Sequence, residues 1–540
     1  MPMRTTRHHA IRALLFIAAC SSAWAGAGNR PNFLLIITDD QSWAHTGYAG
    51  YAVQTPAFDR LAAEGIYFRN AYASAPTCTA SRSAILAGQH FWRLRSAAQL
   101  WGRYPSDVAN YQQLLQSAGY LTGFTGKGWG PGKSDLPNNP AGLGYQSIHL
   151  ENEPGISPTD YAENFKAFLA QRQPGQPFSF WISPWEPHRA YDPGIGRRHG
   201  VDPDTLILPP FLPDHPEVRS DVADYLYEIE WMDAQISKAL AYLRETGEMD
   251  NTLIVYTSDN GMPFPRAKSN NYTYGVRVPL AMRWGHQRAQ GLILDDMVSL
   301  TDLAPTFLDM AGVPVPDTMT GRSLKGLLNK ASRSGQFSEG RAYAFTGFER
   351  HIGDARLHNR GYPSRAIHTQ DWVYIINLAP ERSPAGPPKR FADIDDGSPS
   401  KEAIIQLPEL DYYLQLATAK RPEEELYDLK NDPGQLNNLA DSWRHYLTKY
   451  QLRSRLLGEM RATGDPHTTG HGADFDAYTY YGKSYAKRSD KPTPDDTENT
   501  DTAQNHLLQS SRWSHPALYA IAGIGLMFAL FFVWRKKAKS

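Results

Sequence analysis

Four apolar runs that each end abruptly in polar chemistry constrain this chain most. They are 33–38 (FLLIIT, then Asp39-Asp40), 121–125 (LTGFT, then Gly126-Lys127), 178–183 (FSFWIS, leading to Glu186-Pro187-His188) and 253–258 (LIVYTS, then Asp259-Asn260-Gly261). Continuous apolar runs of this length suit parallel strands covered on both faces. A helical stripe lies between two of them: Tyr225, Ile229, Met232, Ile236, Leu240 and Leu243 recur at helical spacing. Alternating strands and helices predict an α/β fold with a mostly parallel central sheet sandwiched by helices. In such sheets a ligand sits beyond the carboxyl ends of the strands. Here those ends bring Asp39, Asp40, Asp259, Asn260, Lys127 and His188 to one rim. A single aspartate at a strand end is commonly a helix cap; four such endings together point to a site. Three Asp and one Asn form a hard oxygen set, suited to Ca²⁺ or Mg²⁺ rather than Zn²⁺.

The chain has 540 residues with 55 Lys+Arg against 56 Asp+Glu, a net charge of −1. No global field draws it to nucleic acid, so a polyanionic substrate must be held locally. Its two cysteines are Cys20 and Cys78, which excludes a disulfide scaffold. Residues 1–25 read as a secretory signal, with Arg4, Arg7 and Arg12 before a short apolar stretch. Two processing sites compete there: Ala23-Trp24-Ala25, and a lipobox ending at Cys20 that would make a lipoprotein. At the other end 515–534 reads as a transmembrane helix, whose uncharged stretch 517–534 spans roughly 27 Å. The basic tail 535–540 is expected to stay cytoplasmic. The body is then exported and anchored, most simply in a bacterial inner membrane and facing the periplasm. Between body and anchor, 466–514 is expected to be a polar linker, with 486–514 too poor in apolar residues to fold. The body divides into a catalytic α/β domain at 29–330 and a smaller α+β domain at 331–465, with strand-like runs at 341–345 and 372–376.

Cys78 precedes an apolar, helix-forming run, which places it at a helix N-terminus where backbone N–H groups favour an anion. Arg82 follows one turn later. A buried structural cysteine is the plain alternative. A Cys-His hydrolase fits less well, since no neighbouring histidine supplies a base.

Cys78-Thr79-Ala80-Ser81-Arg82 resembles the C-x-[P/A]-x-R signature of the sulfatases, of the alkaline phosphatase superfamily. The likeness runs from about 30 to 440, through RPNFLLIITDD, TPAFDRLAAEGIYFRNAY, TSDNG, VSLTDLAPTFLDMAG and ELYDLKNDPGQLNNLA. Within that family, EPHR at 186–189, TSDNGMPFP with Lys268 after it, and YPSRAI at 362–367 are similar to the branch that hydrolyses N-sulfoglucosamine, the heparan N-sulfatases. The resemblance implies an alkaline-phosphatase-like fold and a formylglycine made from Cys78 by a maturation enzyme. It implies one Ca²⁺ held by Asp39, Asp40, Asp259, Asn260 and the modified Cys78, with a sulfated saccharide as substrate. Arg82, Lys127 and Lys268 would neutralise the sulfate oxygens, and His188 would serve the leaving group. Glu349, Arg350, His351 and Arg365 fall in expected loops of the smaller domain and are candidates for substrate binding. Two positions depart from the family pattern. Gly126-Lys127-Gly128-Trp129 lacks the histidine of G-K-x-H, and Ala80 stands where Pro is commoner.

The chemistry has its own logic. An aldehyde hydrate carries two hydroxyls on one carbon: one takes the sulfuryl group, and the other expels sulfate by re-forming the aldehyde. A phosphatase or phosphodiesterase of the same superfamily is the rival enzyme, and a catalytically dead glycan-binding protein the rival outside catalysis.

Overall fold

The computed structural model describes residues 30–151, 153–285, 291–334, 341–386 and 398–483. The expected signal, the transmembrane segment 515–534 and the basic tail lie outside the described residues. Among the described residues no helix is long and apolar enough to cross a membrane.

The main sheet is built from β1 (Asn32–Thr38), β2 (Ile66–Tyr72), β3 (Leu121–Gly126), β4 (Leu143–Gly144), β5 (Phe178–Ser183), β6 (Thr252–Ser258), β7 (Arg277–Val278), β8 (Leu280–Trp284) and β9 (Leu292–Ser299). Their order is β9-β2-β8-β6-β1-β5-β3-β4, with β7 beside β2. The central pairs β6-β1-β5-β3 are all parallel. Strand β8 is antiparallel to both β6 and β2, which makes the sheet mixed. All seven residues of β1 are buried. Their alternation sends Phe33, Leu35 and Ile37 to one face, and Leu34 and Ile36 to the other.

Helices cover both faces. On the first lie α2 (Cys78–Ala87), α3 (Tyr111–Ser117) and α6 (Leu303–Ala311), contributing Ile85, Leu115 and Phe307. On the second lie α1 (Pro56–Glu64), α4 (Tyr161–Leu169) and α5 (Pro216–Glu245), contributing Phe58, Phe165, Ile229 and Met232. The predicted stripe from Tyr225 to Leu243 is the buried face of α5.

Register sets the site. Thr38 of β1 pairs with Ser258 of β6, so Asp39 and Asp259 leave the sheet side by side. Gly126 of β3 pairs with Ser183 of β5, so Lys127 and the loop to His188 leave at the same edge.

A second, antiparallel sheet runs β10 (Ala344–Phe348), β11 (Ser364–His368), β12 (Trp372–Asn377) and β13 (Glu424–Asp428). Helix α7 (Tyr446–Ala462) packs Leu452, Leu456 and Met460 on Ile367, Tyr374, Ile376 and Leu426. The strand expected at 341–345 is thus displaced toward 348, because pairing with β11 fixes its register. Arg365 lies within β11, not in a loop. Of the linker expected at 466–514, the described part is not a free tether. Residues 466–483 fold onto the body, since this stretch has aromatic side chains to bury: Phe475 joins the core beneath α2 and α6, and the Tyr478 carbonyl accepts from Arg350.

Arg365 fastens the two sheets. It is fully buried, 2.6 Å from both Glu349 and Asp465, and lies over the rings of Phe91 and Trp92. Arg365→Ala strands two buried carboxylates, which should cost ~3–5 kcal/mol. Chemical denaturation measures this; a loss below ~1 kcal/mol would show that the pair does not brace the fold.

Candidate active site

The carboxyl ends of β1, β3, β5 and β6 converge on the first residue of α2, Cys78, which is 1% exposed. Its Sγ lies 3.5 Å from Asp39 Oδ1, 3.9 Å from Asp40 Oδ1 and 3.5 Å from Lys268 Nζ. Lys127 contacts Asp39 directly and Lys268 contacts Asp40 directly. Arg82, one turn into α2, donates Nε to Asp259 Oδ2 at 2.7 Å. Its Nη1 donates to Gly128 O and Ser183 Oγ, both at 2.6 Å. Asn260 Nδ2 donates to Asp40 Oδ1 at 2.5 Å and to Asp259 Oδ1 at 2.8 Å.

Three carboxylates and three cations therefore neutralise one another in a buried pocket. Asp40 adopts a left-handed backbone, φ 74°, sparsely populated for a residue with a side chain. Burial raises the Asp39 carboxyl, but Lys127, His188 and Arg82 outweigh it and hold Asp39 below its usual value. Burial pushes the Cys78 thiol well above its ordinary pKa, against the pull of Lys127 and Lys268. A thiol in this state is protonated at neutral pH and a poor nucleophile.

The donor set fits a hard divalent cation. Oxygen atoms of Asp39, Asp40 and Asp259 lie within 4.8 Å of one another. Asp40 Oδ2 and Asn260 Oδ1 are buried and lack a hydrogen-bond partner among the described residues, an expensive state for polar atoms unless a cation takes their lone pairs.

His188 stands at the open side, its side chain 25% exposed and Nε2 3.9 Å from Asp40 Oδ2. Nδ1 lies 2.6 Å from the Arg189 carbonyl, which can only accept, so Nδ1 carries the hydrogen. Nε2 then faces the pocket as the nitrogen that can carry or release a proton. Arg189 anchors this loop with two bonds to Asp221 of α5, at 2.6 and 2.8 Å, between the rings of Tyr191 and Phe264. Glu186 braces the loop from the other side through Tyr161 Oη and Ser157 N, and burial lifts its carboxyl to about 7.

All the predicted catalytic and metal residues therefore come together: Asp39, Asp40, Cys78, Arg82, Lys127, His188, Asp259, Asn260 and Lys268. The four candidates from the smaller domain divide. His351, delivered by the segment after β10, is buried with Nδ1 2.8 Å from Oγ1 of Thr77, the residue before Cys78. Arg350 is buried against Gln99 Oε1 (2.6 Å) and the Asn359 carbonyl (2.7 Å). Glu349 and Arg365 pair with each other, and Glu349 also meets His467. These three spend their charge inside the fold. Sequence reasoning missed Thr77, Ser183 and the Arg189–Asp221 anchor. The Glu-Pro-His-Arg run flagged the arginine, but nothing local flags an aspartate on a distant helix.

The sequence matches the family model described as Sulfatase over residues 31–313 and that described as N-sulphoglucosamine sulphohydrolase, C-terminal, over 267–374. Human N-sulphoglucosamine sulphohydrolase is 28% identical over 478 residues, covering 81% of this chain and 91% of that one. An N-acetylglucosamine-6-O-sulfatase of Bacteroides thetaiotaomicron is 25% identical, covering 83% and 89%. Among solved structures, one in complex with its substrate D-glucosamine-2-N,6-O-disulfate superposes with a TM-score of 0.59 at 22% identity, covering 81% of this chain and 98% of that one. A phosphonate monoester hydrolase from Silicibacter pomeroyi superposes at 0.60 with 18% identity, covering 81% and 96%. With an alkaline-phosphatase-like sheet, a Cys78–Arg82 helix start at its carboxyl edge and these matches, the chain belongs to the sulfatase family, hydrolases of sulfate esters and sulfamates.

Proposed function

We propose that this sulfatase removes sulfate from a sulfated saccharide, with N-sulfoglucosamine at a heparan- or heparin-type chain end as the favoured group. The observation that carries the reading is Cys78 itself: first residue of a helix, buried, ringed by Lys127, Lys268 and Arg82, with its thiol held protonated. Conversion of that side chain to formylglycine, by a separate maturation enzyme, replaces a suppressed nucleophile with a hydrate hydroxyl. Lys127, Lys268 and Arg82 place positive charge where the sulfuryl oxygens gather charge in the transition state. His188 Nε2 protonates the departing nitrogen or oxygen. His351 holds Thr77 and so the start of the nucleophile's helix, while Glu349, Arg350 and Arg365 serve the substrate side by fixing the 349–351 segment.

One Ca²⁺ is proposed at Asp39, Asp40, Asp259 and Asn260 with residue 78; when bound it supplies Lewis acidity to the nucleophile and a charge clamp for sulfate. Asp40→Ala should lose calcium binding and activity together. Calcium titration of the folded variant with parent-like stoichiometry would show that the ion sits elsewhere.

Release of an O-linked sulfate is the second reading, favoured by the match to a 6-O-sulfatase. Product analysis on N-, 2-O- and 6-O-sulfated disaccharides separates the two. The expected result is sulfate from the N-linked position, abolished in Cys78→Ala, with an aldehyde found at residue 78 of active protein by peptide mass. Sulfate freed only from an O-linked position would replace the N-sulfatase reading with the second one. Phosphate released in preference to sulfate would point to the rival phosphatase.

The protein is proposed to be exported and held at the membrane by 515–534, with its body outside the cytoplasm, on the strength of sequence composition alone. Truncation after about residue 488 should release soluble, active enzyme. Continued sedimentation with membranes would move the anchor to the lipobox at Cys20.

A further inference from the structure

Away from Cys78, a cleft of about 310 Å³ opens at the seam between the main body and the second sheet. None of the residues around Cys78 lines it. Its walls carry Arg322, Arg341 and Arg455 with Tyr343, Glu459 and His90. Arg455 and Glu459 lie one turn apart on α7, Arg341 and Tyr343 lead into β10, and Arg322 follows α6. Both halves of the molecule therefore build it.

The charges do not cancel. Arg341 is used at the back of the cleft, 2.7 Å from the buried Asp302. Glu459 is engaged by His90 Nε2 at 3.0 Å. Burial pushes the His90 pKa down, so this histidine adds no charge at neutral pH. Arg322 and Arg455 are exposed and make no ion pair among the described residues. Arg455 instead lies over the ring of Tyr343, 4.8 Å from its centroid. With His90 neutral, three arginines face the carboxylates of Asp302 and Glu459, so the cleft keeps one net positive charge, with the exposed guanidiniums of Arg322 and Arg455 beside a π-face. A guanidinium binds sulfate or carboxylate in a fork geometry that lysine lacks. A stacked arginine and tyrosine give a flat surface for the face of a sugar ring. The volume is at the lower end of the range for small-ligand pockets, enough for one sugar unit but not a chain.

We propose that this cleft is a second binding site, an anchoring subsite for a sulfate- or carboxylate-bearing sugar unit of the saccharide substrate, distinct from the hydrolytic site at Cys78. The proposal rests on the saccharide reading above. In a chain of net charge −1, affinity for an acidic oligosaccharide has to come from local basic sites such as this one rather than from a global field.

The test compares full-length parent protein with an Arg322→Ala/Arg455→Ala variant. Calorimetry measures binding of a sulfated heparin-type tetrasaccharide and of N-sulfoglucosamine alone, both in a Cys78→Ala background so that nothing turns over. Hydrolysis of a small aryl sulfate is measured with Cys78 intact. The double variant should bind the tetrasaccharide about tenfold more weakly, a loss of ~1.4 kcal/mol, with monosaccharide binding and aryl sulfate turnover unchanged. Parent-like tetrasaccharide affinity in the variant overturns the second site and leaves the hydrolytic reading standing. An equal loss for monosaccharide and tetrasaccharide overturns it too, by assigning the arginines to the Cys78 site. A parent protein that binds no sulfated saccharide overturns both readings.

Discussion

Three buried carboxylates facing three buried cations are the constraint on which the rest of this structure depends. Each charge alone would be expensive at this depth of burial, and removing one would strand its partner. Asp39 with Lys127, Asp40 with Lys268 and Asp259 with Arg82 satisfy one another only if four strand ends stop at the same height. The parallel register of β1 with β6 and of β3 with β5 supplies that alignment. The set is balanced as it stands. A divalent cation on the orphaned oxygens of Asp40 and Asn260 would give the pocket an excess of two positive charges, facing a sulfate group that carries one negative charge.

The second sheet takes part in this geometry. Arg365 spans Glu349 and Asp465 and lies against Phe91 and Trp92, which follow α2 in the chain. The segment after β10 is thereby held so that His351 reaches Thr77 at the head of that helix. Ile352 also packs with Cys78 in one small apolar cluster. The helix that begins at Cys78 is thus gripped at its start by the smaller sheet and along its length by the main core.

The sequence made the centre of the molecule legible because strand interiors and strand ends have opposite chemistry there. The runs at 33–38, 178–183 and 253–258 coincide with β1, β5 and β6 to within a residue. Cys78 begins a helix as expected from the apolar run after it. Strand β8 was not legible: Leu280–Trp284 is short, carries Arg283 and is antiparallel among parallel neighbours. Arg350 and Arg365 read as loop charges because local sequence does not distinguish a solvated arginine from a buried one whose acids lie far along the chain. Asp465 is one hundred residues from Arg365. Residues 466–483 fall within the expected linker, yet their aromatic residues dock them on the body.

The departure at position 129 follows from packing. Trp129 is buried, donates Nε1 to Ser83 Oγ of α2 at 2.8 Å and meets Tyr104 edge-on. Gly126 and Gly128 beside it take positive φ, and a Cβ at Gly126 would fall 2.0 Å from the Ser183 carbonyl oxygen. The Gly126–Trp129 turn is therefore committed to seating the helix that begins at Cys78 on the strand ends. The histidines that do approach the helix start come from elsewhere: His188 from the loop after β5, across the carboxylates, and His351 from the second sheet, through Thr77. The surroundings of residue 78 are consequently completed by two loops that meet only in the folded molecule, one from each sheet.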